Sequence, residues 1–475
     1  VNNGLVALQL GMHTPDAIPI QVYSHPPCFR GFRTVGGMDV KSAKGGKTIY
    51  SEPFEYKAQE MTYTIRLSRL YMIEKEKLAI SLFYLGMLLA FLASMNPWFL
   101  WPLGSLYHVP AAMLVIASLM VSNTMEKSPF SREDYLLPLL AYVVYAVYER
   151  LSMESNVNGF IMIFFKATVV YGLFRMEPHR LFSLTTFISK VMGALLAASL
   201  LGFFLYLLGF SLPGRPAQLG DFYSFTNYYL FLLDDRNLFA IFPRFNSYFP
   251  EPSHVGSAAA FLLFAQRGHW RKWYNIVLIT TVCFSFSLAA YIYFTAIVFL
   301  NLWAEKKHVL RKLAVTVGVV AAAVIATFTY NGGDNLIHDL ILLRLEVDDG
   351  ELAGDNRITG NFEQDYDNYL QSGDIVFGRS YDNTLEFGNA GYKVFFYDHG
   401  LVGMLLILAF YILALGKAAN KRAAFSALVI ASLYFLPSAY MLSEKLLFSI
   451  YAGAYRDGAE SETLRSALPL RSSKN

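Results

Sequence analysis

The chain has 475 residues, of which 55% are hydrophobic and 16% charged, with a mean hydropathy of +0.37 and a formal net charge of +3. Such an apolar composition excludes an ordinary water-soluble domain and fits a protein whose surroundings are a bilayer. The mild positive balance implies loop topology rather than a nucleic-acid partner, and two cysteines, Cys28 and Cys283, give no disulfide framework.

Residues 1–77 are polar and contain no short apolar core of the kind found in a secretory signal, so they read as a cytoplasmic leader, partly disordered. Met61 begins a more plausible lead-in to the first span, and the first sixty residues are expected to be dispensable. From 78 to 455 the chain reads as a polytopic membrane domain, followed by a polar tail, 456–475. The apolar runs that predict helices lie at 78–95, 106–122, 135–150, 157–174, 187–209, 253–266, 275–303, 313–330, 391–416, 423–441 and 444–455. The run at 275–303 predicts a helical hairpin that reverses at FSFSLAA, and 253–266 and 444–455 are short enough to be helices packed inside a bundle. About ten to twelve crossings of a hydrocarbon layer roughly 30 Å thick are expected, an all-α architecture. Lys166, inside 157–174, is expected to snorkel toward the cytoplasmic end rather than pair with a polar group in the bundle.

Sidedness follows from the charged linkers. The linkers RGHWRK (267–272), EKKHVLRK (305–312) and KAANKR (417–422) carry lysine and arginine, whereas the two long loops, 210–252 and 331–390, contain no lysine. Short positively charged loops stay cytoplasmic, which sends both long loops to the opposite face.

The chemistry-bearing residues gather in those two loops. The first ends in PRFNSYFPEPSHVG, with Arg244, Tyr248, Glu251, Ser253 and His254. Glu251 and His254 are candidate general bases, yet Glu-Pro-Ser is equally a helix start whose carboxylate complements the positive helix end. The second loop is rich in carboxylates and carries Arg344, Arg357 and Arg379, each either a ligand for an anion or a partner of a neighbouring carboxylate. DNRITGNFEQDYDNYL predicts short helices, and GYKVFFYDHGLVGMLL, with His399 as an alternative base, leads into a span. No metal-ligand spacing, P-loop or dinucleotide fingerprint occurs.

The order of these strings, Arg244 before Glu-Pro-Ser-His-Val-Gly, then Arg357, then Gly378-Arg379, then Gly400-x-x-Gly403, resembles the Wzy-type polymerases of O-antigen and capsular polysaccharide. That resemblance implies a GT-C-like helical bundle in a bacterial inner membrane, with a cytoplasmic N-terminus and two large periplasmic loops. It also implies glycosyl transfer between undecaprenyl-pyrophosphate-linked repeat units without a metal or other cofactor, and a chain-length regulator as a partner. On this reading Glu251, His254 or His399 would be catalytic, while Arg244, Arg344, Arg357, Arg379, Tyr248 and Ser253 would bind substrate. Asn389-Ala390 stands where the related O-antigen ligases often carry a histidine-asparagine pair, which favours a polymerase over a ligase. A flippase or secondary transporter is the non-enzymatic alternative; it is expected to hold its ionisable residues inside helices rather than in loops.

Overall fold

The computed structural model describes residues 54–121, 131–152, 157–220, 223–235, 243–267, 269–304, 309–333, 347–348, 351–352, 360–379 and 391–467. Two compact units divide between Thr64 and Ile65. The described residues of the first unit, 54–64, are helical, and the second unit holds all the other elements.

In chain order the helices are α1 (Phe54–Ala93), α2 (His108–Val121), α3 (Arg132–Ser152), α4 (Val157–Arg175), α5 (Pro178–Leu207), α6 (Pro252–Ala265), α7 (Trp273–Phe284), α8 (Leu288–Ala304), α9 (Val309–Thr329), α10 (Gly360–Leu370), α11 (Gly391–Leu415), α12 (Lys421–Phe435) and α13 (Glu444–Ala467). Local chemistry sets many of these ends. Proline occupies the first turn of α5 and α6, where its missing N–H costs nothing. The Asn420 side chain caps α12 by accepting from the backbone N–H groups of Arg422 and Ala423. The hairpin expected at 275–303 forms as α7 and α8, turning at Ser285–Ser287.

Among the described residues four helices are long and apolar enough to cross a membrane, at Met72–Ala93, Val157–Arg175, Pro178–Leu207 and Gly391–Leu415. The bent pair Trp98–Gly104 and His108–Val121 passes the same test as one unit, and α6, α7 and α8 are shorter apolar helices. The protein is therefore a mostly helical membrane protein.

The mostly helical structure agrees with the all-α expectation, and beside the helices Arg215–Leu219 (β1), Tyr223–Asn227 (β2) and Leu232–Asp234 (β3) form a small antiparallel sheet in order β1-β2-β3. Alternating burial along Tyr-Ser-Phe-Thr-Asn, after the turn glycine Gly220 with φ 59°, is the period-2 signal for it. A two-residue ladder, Val347–Asp348 (β4) with Glu351–Leu352 (β5), lies in the second loop. The first helix also starts at Phe54, well before the apolar run that announces it.

Hydrogen bonds bring both long loops to one end of the bundle. Trp98 donates its backbone N–H to the Tyr248 carbonyl, Phe245 to that of Phe284, and Lys445 to Ser94 Oγ. Tyr392 donates to the Leu436 carbonyl, and the Tyr148 hydroxyl reaches the Phe377 carbonyl at 2.7 Å. At the opposite end Lys417 meets Asp134 at 3.0 Å and an Arg422 N–H reaches the Trp303 carbonyl. The lysine-bearing linker 417–422 thus lies at the end opposite the described parts of both loops. Single cysteines replacing Gln218 and Gln371, in a background lacking Cys28 and Cys283, should label together with an impermeant maleimide in sealed vesicles of one orientation. Lys417→Cys should label only in the other, and labelling of 218 without 371 would contradict the shared end.

Candidate functional site

The first loop does not stop at the mouth of the bundle. Residues 245–250 are buried, and the Tyr248 hydroxyl donates to the Leu195 carbonyl of α5 at 3.3 Å. Leu195 precedes the last residue of α5 by twelve positions, about 18 Å of helix at 1.5 Å per residue. Irregular backbone at such depth is stable only when protein surrounds it. The Phe245 N–H to the Phe284 carbonyl and the Asn246 side-chain amide to the Pro250 carbonyl supply part of that wrapping. Ser247 adopts φ 53°, a conformation rare outside glycine, and its buried Oγ has no hydrogen-bond partner among the described residues.

This inserted segment delivers Glu251 to the N-cap of α6, in the middle of the bundle mouth. Its carboxylate does not cap the helix N–H groups. Instead Oε1 accepts from the Tyr223 hydroxyl of β2 and Oε2 accepts from Ser253 Oγ at 2.7 Å. The site that emerges is a half-buried carboxylate held between two hydroxyls, with the sheet above it and the helix dipole behind it. His254 is a neighbour on the first turn of α6, its Nδ1 at 3.2 Å from the Met95 carbonyl. Arg244, half-buried, lies within electrostatic reach of the Tyr291 hydroxyl of α8. Tyr248, by contrast, is 7% exposed and spends its hydroxyl on α5, so its ring is part of the floor.

The second loop ends in a different construction. Arg379 donates from Nε to Asp374 at 2.6 Å, approaches Asp365 at 3.7 Å and lies over the Tyr369 ring. The hydrogen bond to Asp374 raises its pKa further above the ordinary guanidinium range, so this cation is a fixed, partly neutralised charge. Its backbone N–H donates to the Tyr397 carbonyl, and the Val402 N–H donates to the Val376 carbonyl, stitching the loop along α11. Gly400 makes the stitch possible: its φ is 57°, and a Cβ there would sit 2.6 Å from the Gly378 nitrogen. A Cβ on Gly378 would in turn meet the Asp398 carbonyl oxygen at 2.3 Å. His399, 1% exposed, precedes the kink, packed by Phe395 at 4.9 Å and Tyr145 at 6.1 Å, with Nδ1 unpartnered among the described residues. Arg344 and Arg357 lie outside the described residues.

A third polar group escapes a reading of the loops alone. His108 at the start of α2 and Glu444 at the start of α13 are 2% and 6% exposed and lie 3.7 Å apart. Lys166 acts electrostatically on His108, Glu149 and Glu444, and Arg150 acts on His108 and Glu149. Lys166 is half-buried and lies within electrostatic reach of these groups. The signal for this group is two charged pairs, Glu149-Arg150 and Glu444-Lys445, at ends of apolar runs. Among the described residues no group of three or more His, Cys, Asp or Glu side chains is placed to hold a metal ion.

The chain matches no family model, no curated protein and no solved structure. The functional reading rests on the arrangement of its own residues.

Gly400→Ala should be far more damaging than an alanine substitution elsewhere in α11, because it adds strain at positive φ to a backbone clash. A loss of about 2 kcal/mol or more, or failure to accumulate folded protein, is expected in thermal unfolding of the purified variant. Unchanged stability would contradict the stitched kink.

Proposed function

We propose that the protein is a glycosyltransferase of the Wzy type, polymerising lipid-pyrophosphate-linked oligosaccharide repeat units at the outer face of a bacterial inner membrane. The observation that carries this reading is Glu251, a recessed carboxylate at the end of an inserted loop, oriented by Tyr223 and Ser253 and followed by His254. A recessed carboxylate in a site of restricted water is placed to take a proton from a sugar hydroxyl. In the proposed reaction the acceptor oxygen attacks the anomeric carbon of the donor sugar. The bond from that carbon to the pyrophosphate oxygen breaks, the proton passes to Glu251 or His254, and the lipid pyrophosphate leaves. Negative charge grows on the leaving phosphate, where guanidinium groups are the most effective protein donors. Arg244, on the same inserted segment as Glu251, is the first candidate for that role; Arg379, already engaged by Asp374, is a weaker one.

The buried His108–Glu444 pair with Lys166 supports a second reading, a transporter of a lipid-linked or charged solute, because ionisable groups inside a bundle mark pathways as often as structure. The two readings differ in product. Arg244→Ala and Glu251→Gln should each reduce linkage formation by about 100-fold or more while the protein inserts at normal level. Polymer length on a gel, together with turnover of a lipid-linked repeat unit by purified protein, checks this. Full turnover in Glu251→Gln removes it as the base. A wild-type protein that forms no glycosidic bond, but moves solute in a manner lost in Glu444→Gln, establishes the transporter.

A further inference from the structure

Arg215 opens β1 at the outer edge of the sheet and is exposed. Its guanidinium carbon lies 5.5 Å from the centre of the Trp98 ring and 5.4 Å from that of Tyr229. Among the described residues no carboxylate pairs with it. A guanidinium held between two aromatic faces keeps the N–H donors at its edge directed outward, in a planar fork that matches phosphate oxygens. Arg379, the other well-placed loop arginine, differs in having its fork occupied by Asp374.

Both rings are set in place at some conformational cost. Tyr229 has φ 65° and is held there by its backbone N–H donating to Asn227 Oδ1 at 2.7 Å. Asn96, two residues before Trp98, has φ 54°. Strained backbone that surrounding structure over-determines is concentrated at functional positions. The Trp98 indole N–H is also buried without a partner among the described residues. The sheet supplies the rest of the frame, since Arg215 stands opposite Asn227 in the β1–β2 register.

The surroundings identify the ligand. Leu230, beside Tyr229, packs on α5 at Gly202, where an added Cβ would lie 3.2 Å from Leu230 Cδ1. Leu201 of α5 and, just past its end, Leu208 and Phe210 are 63%, 75% and 58% exposed. On the other side Phe99, Leu103 and Leu106 of the connection between α1 and α2 are 40%, 43% and 57% exposed. An arginine between aromatic rings, bordered by exposed leucines of membrane helices, sits where lipid headgroups lie.

We propose that Arg215, with Trp98 and Tyr229, is a docking site for a phosphate-bearing lipid headgroup approaching from the bilayer. It shares no residue with the Glu251 site, whose carboxylate is held by Tyr223 and Ser253. The phosphate chemistry rests on this geometry alone; that the lipid is the glycan carrier rests on the polymerase reading.

Binding of geranyl diphosphate to the detergent-purified full chain, measured by calorimetry with geraniol as the uncharged control, tests it. Arg215→Ala should weaken geranyl diphosphate binding about tenfold or more and Arg215→Lys less, because a lysine keeps the charge but loses the fork; geraniol binding should not change. Arg215→Gln, which preserves length and polarity, serves if the alanine variant does not fold. Binding equal to wild type in a folded Arg215→Ala or Arg215→Gln protein overturns the site. Competition by phosphatidylglycerol identifies a general phospholipid headgroup as the occupant, and its absence identifies the diphosphate carrier; both support the site. Arg215-dependent binding in a chain that forms no polymer leaves this inference standing while the polymerase reading falls. Polymerisation with Arg215-independent binding does the reverse.

Discussion

Backbone polar groups inserted among membrane helices must be paired or wrapped by protein, and this requirement organises the molecule. Residues 245–250 leave the helical ladder while still inside the bundle, so every neighbouring element is shaped to cover them. The end of α7 accepts from Phe245, the connection after α1 donates to the Tyr248 carbonyl, β3 donates through Leu232 to the Ser247 carbonyl, and α5 accepts from Tyr248. The shortness of α6 follows directly. A helix of 14 residues, about 21 Å long, begins where the inserted loop ends rather than at the membrane surface. That lowered start places Glu251 directly after the buried segment, half-buried and bonded to Tyr223 and Ser253.

The second loop solves the same problem by another device. Instead of plunging into the bundle, residues 376–379 run beside the kink in α11 and exchange backbone hydrogen bonds with Tyr397 and Val402. Only glycine at 378 and 400 lets the two backbones approach so closely. Asp374, Asp365 and Tyr369 then hold the Arg379 side chain against the stitched segment. The two loops therefore contribute differently: the first places a carboxylate oriented by two hydroxyls at the start of α6, and the second holds a paired arginine against a rigid kink.

Much of this is legible in the sequence wherever a local rule governs it. Apolar runs mark the helices, Phe-Ser-Phe-Ser marks the reversal between α7 and α8, and the absence of lysine alone groups the two long loops that meet at one end of the bundle. Glu251 and Ser253 are legible as a pair because they are two residues apart. Tyr223 is not, because its contact with Glu251 spans 28 residues and depends on the register of a sheet hidden by its short strands. The surroundings of Lys166 are illegible for the same reason: the groups within its electrostatic reach come from α2, α3 and α13, and nothing within its own helix announces them. Arg215 is inconspicuous because it lies at the start of a loop, and its meaning comes from Trp98 and Tyr229, over a hundred residues away in one case.

Ionisable groups shared among helices, His108 and Glu444 buried and Glu149, Arg150 and Lys166 half-buried, bear on how the bundle holds together. Taking a carboxylate and a lysine out of water costs several kcal/mol each, and their mutual attraction offsets this only when partners are close and numerous. His108, Glu149, Arg150, Lys166 and Glu444 come from four helices, α2, α3, α4 and α13, so no pair of helices satisfies the set alone. Such a network adds little to stability compared with apolar packing of equal volume, but it penalises every arrangement in which one of the four helices is absent or shifted by a turn. It lies at the same end as the inserted loop, where Lys445 donates its backbone N–H to Ser94 Oγ one residue before the Met95 carbonyl that faces His254. Adjacent residues just after α1, Ser94 and Met95, thus contact the start of α13 on one side and the first turn of α6 on the other.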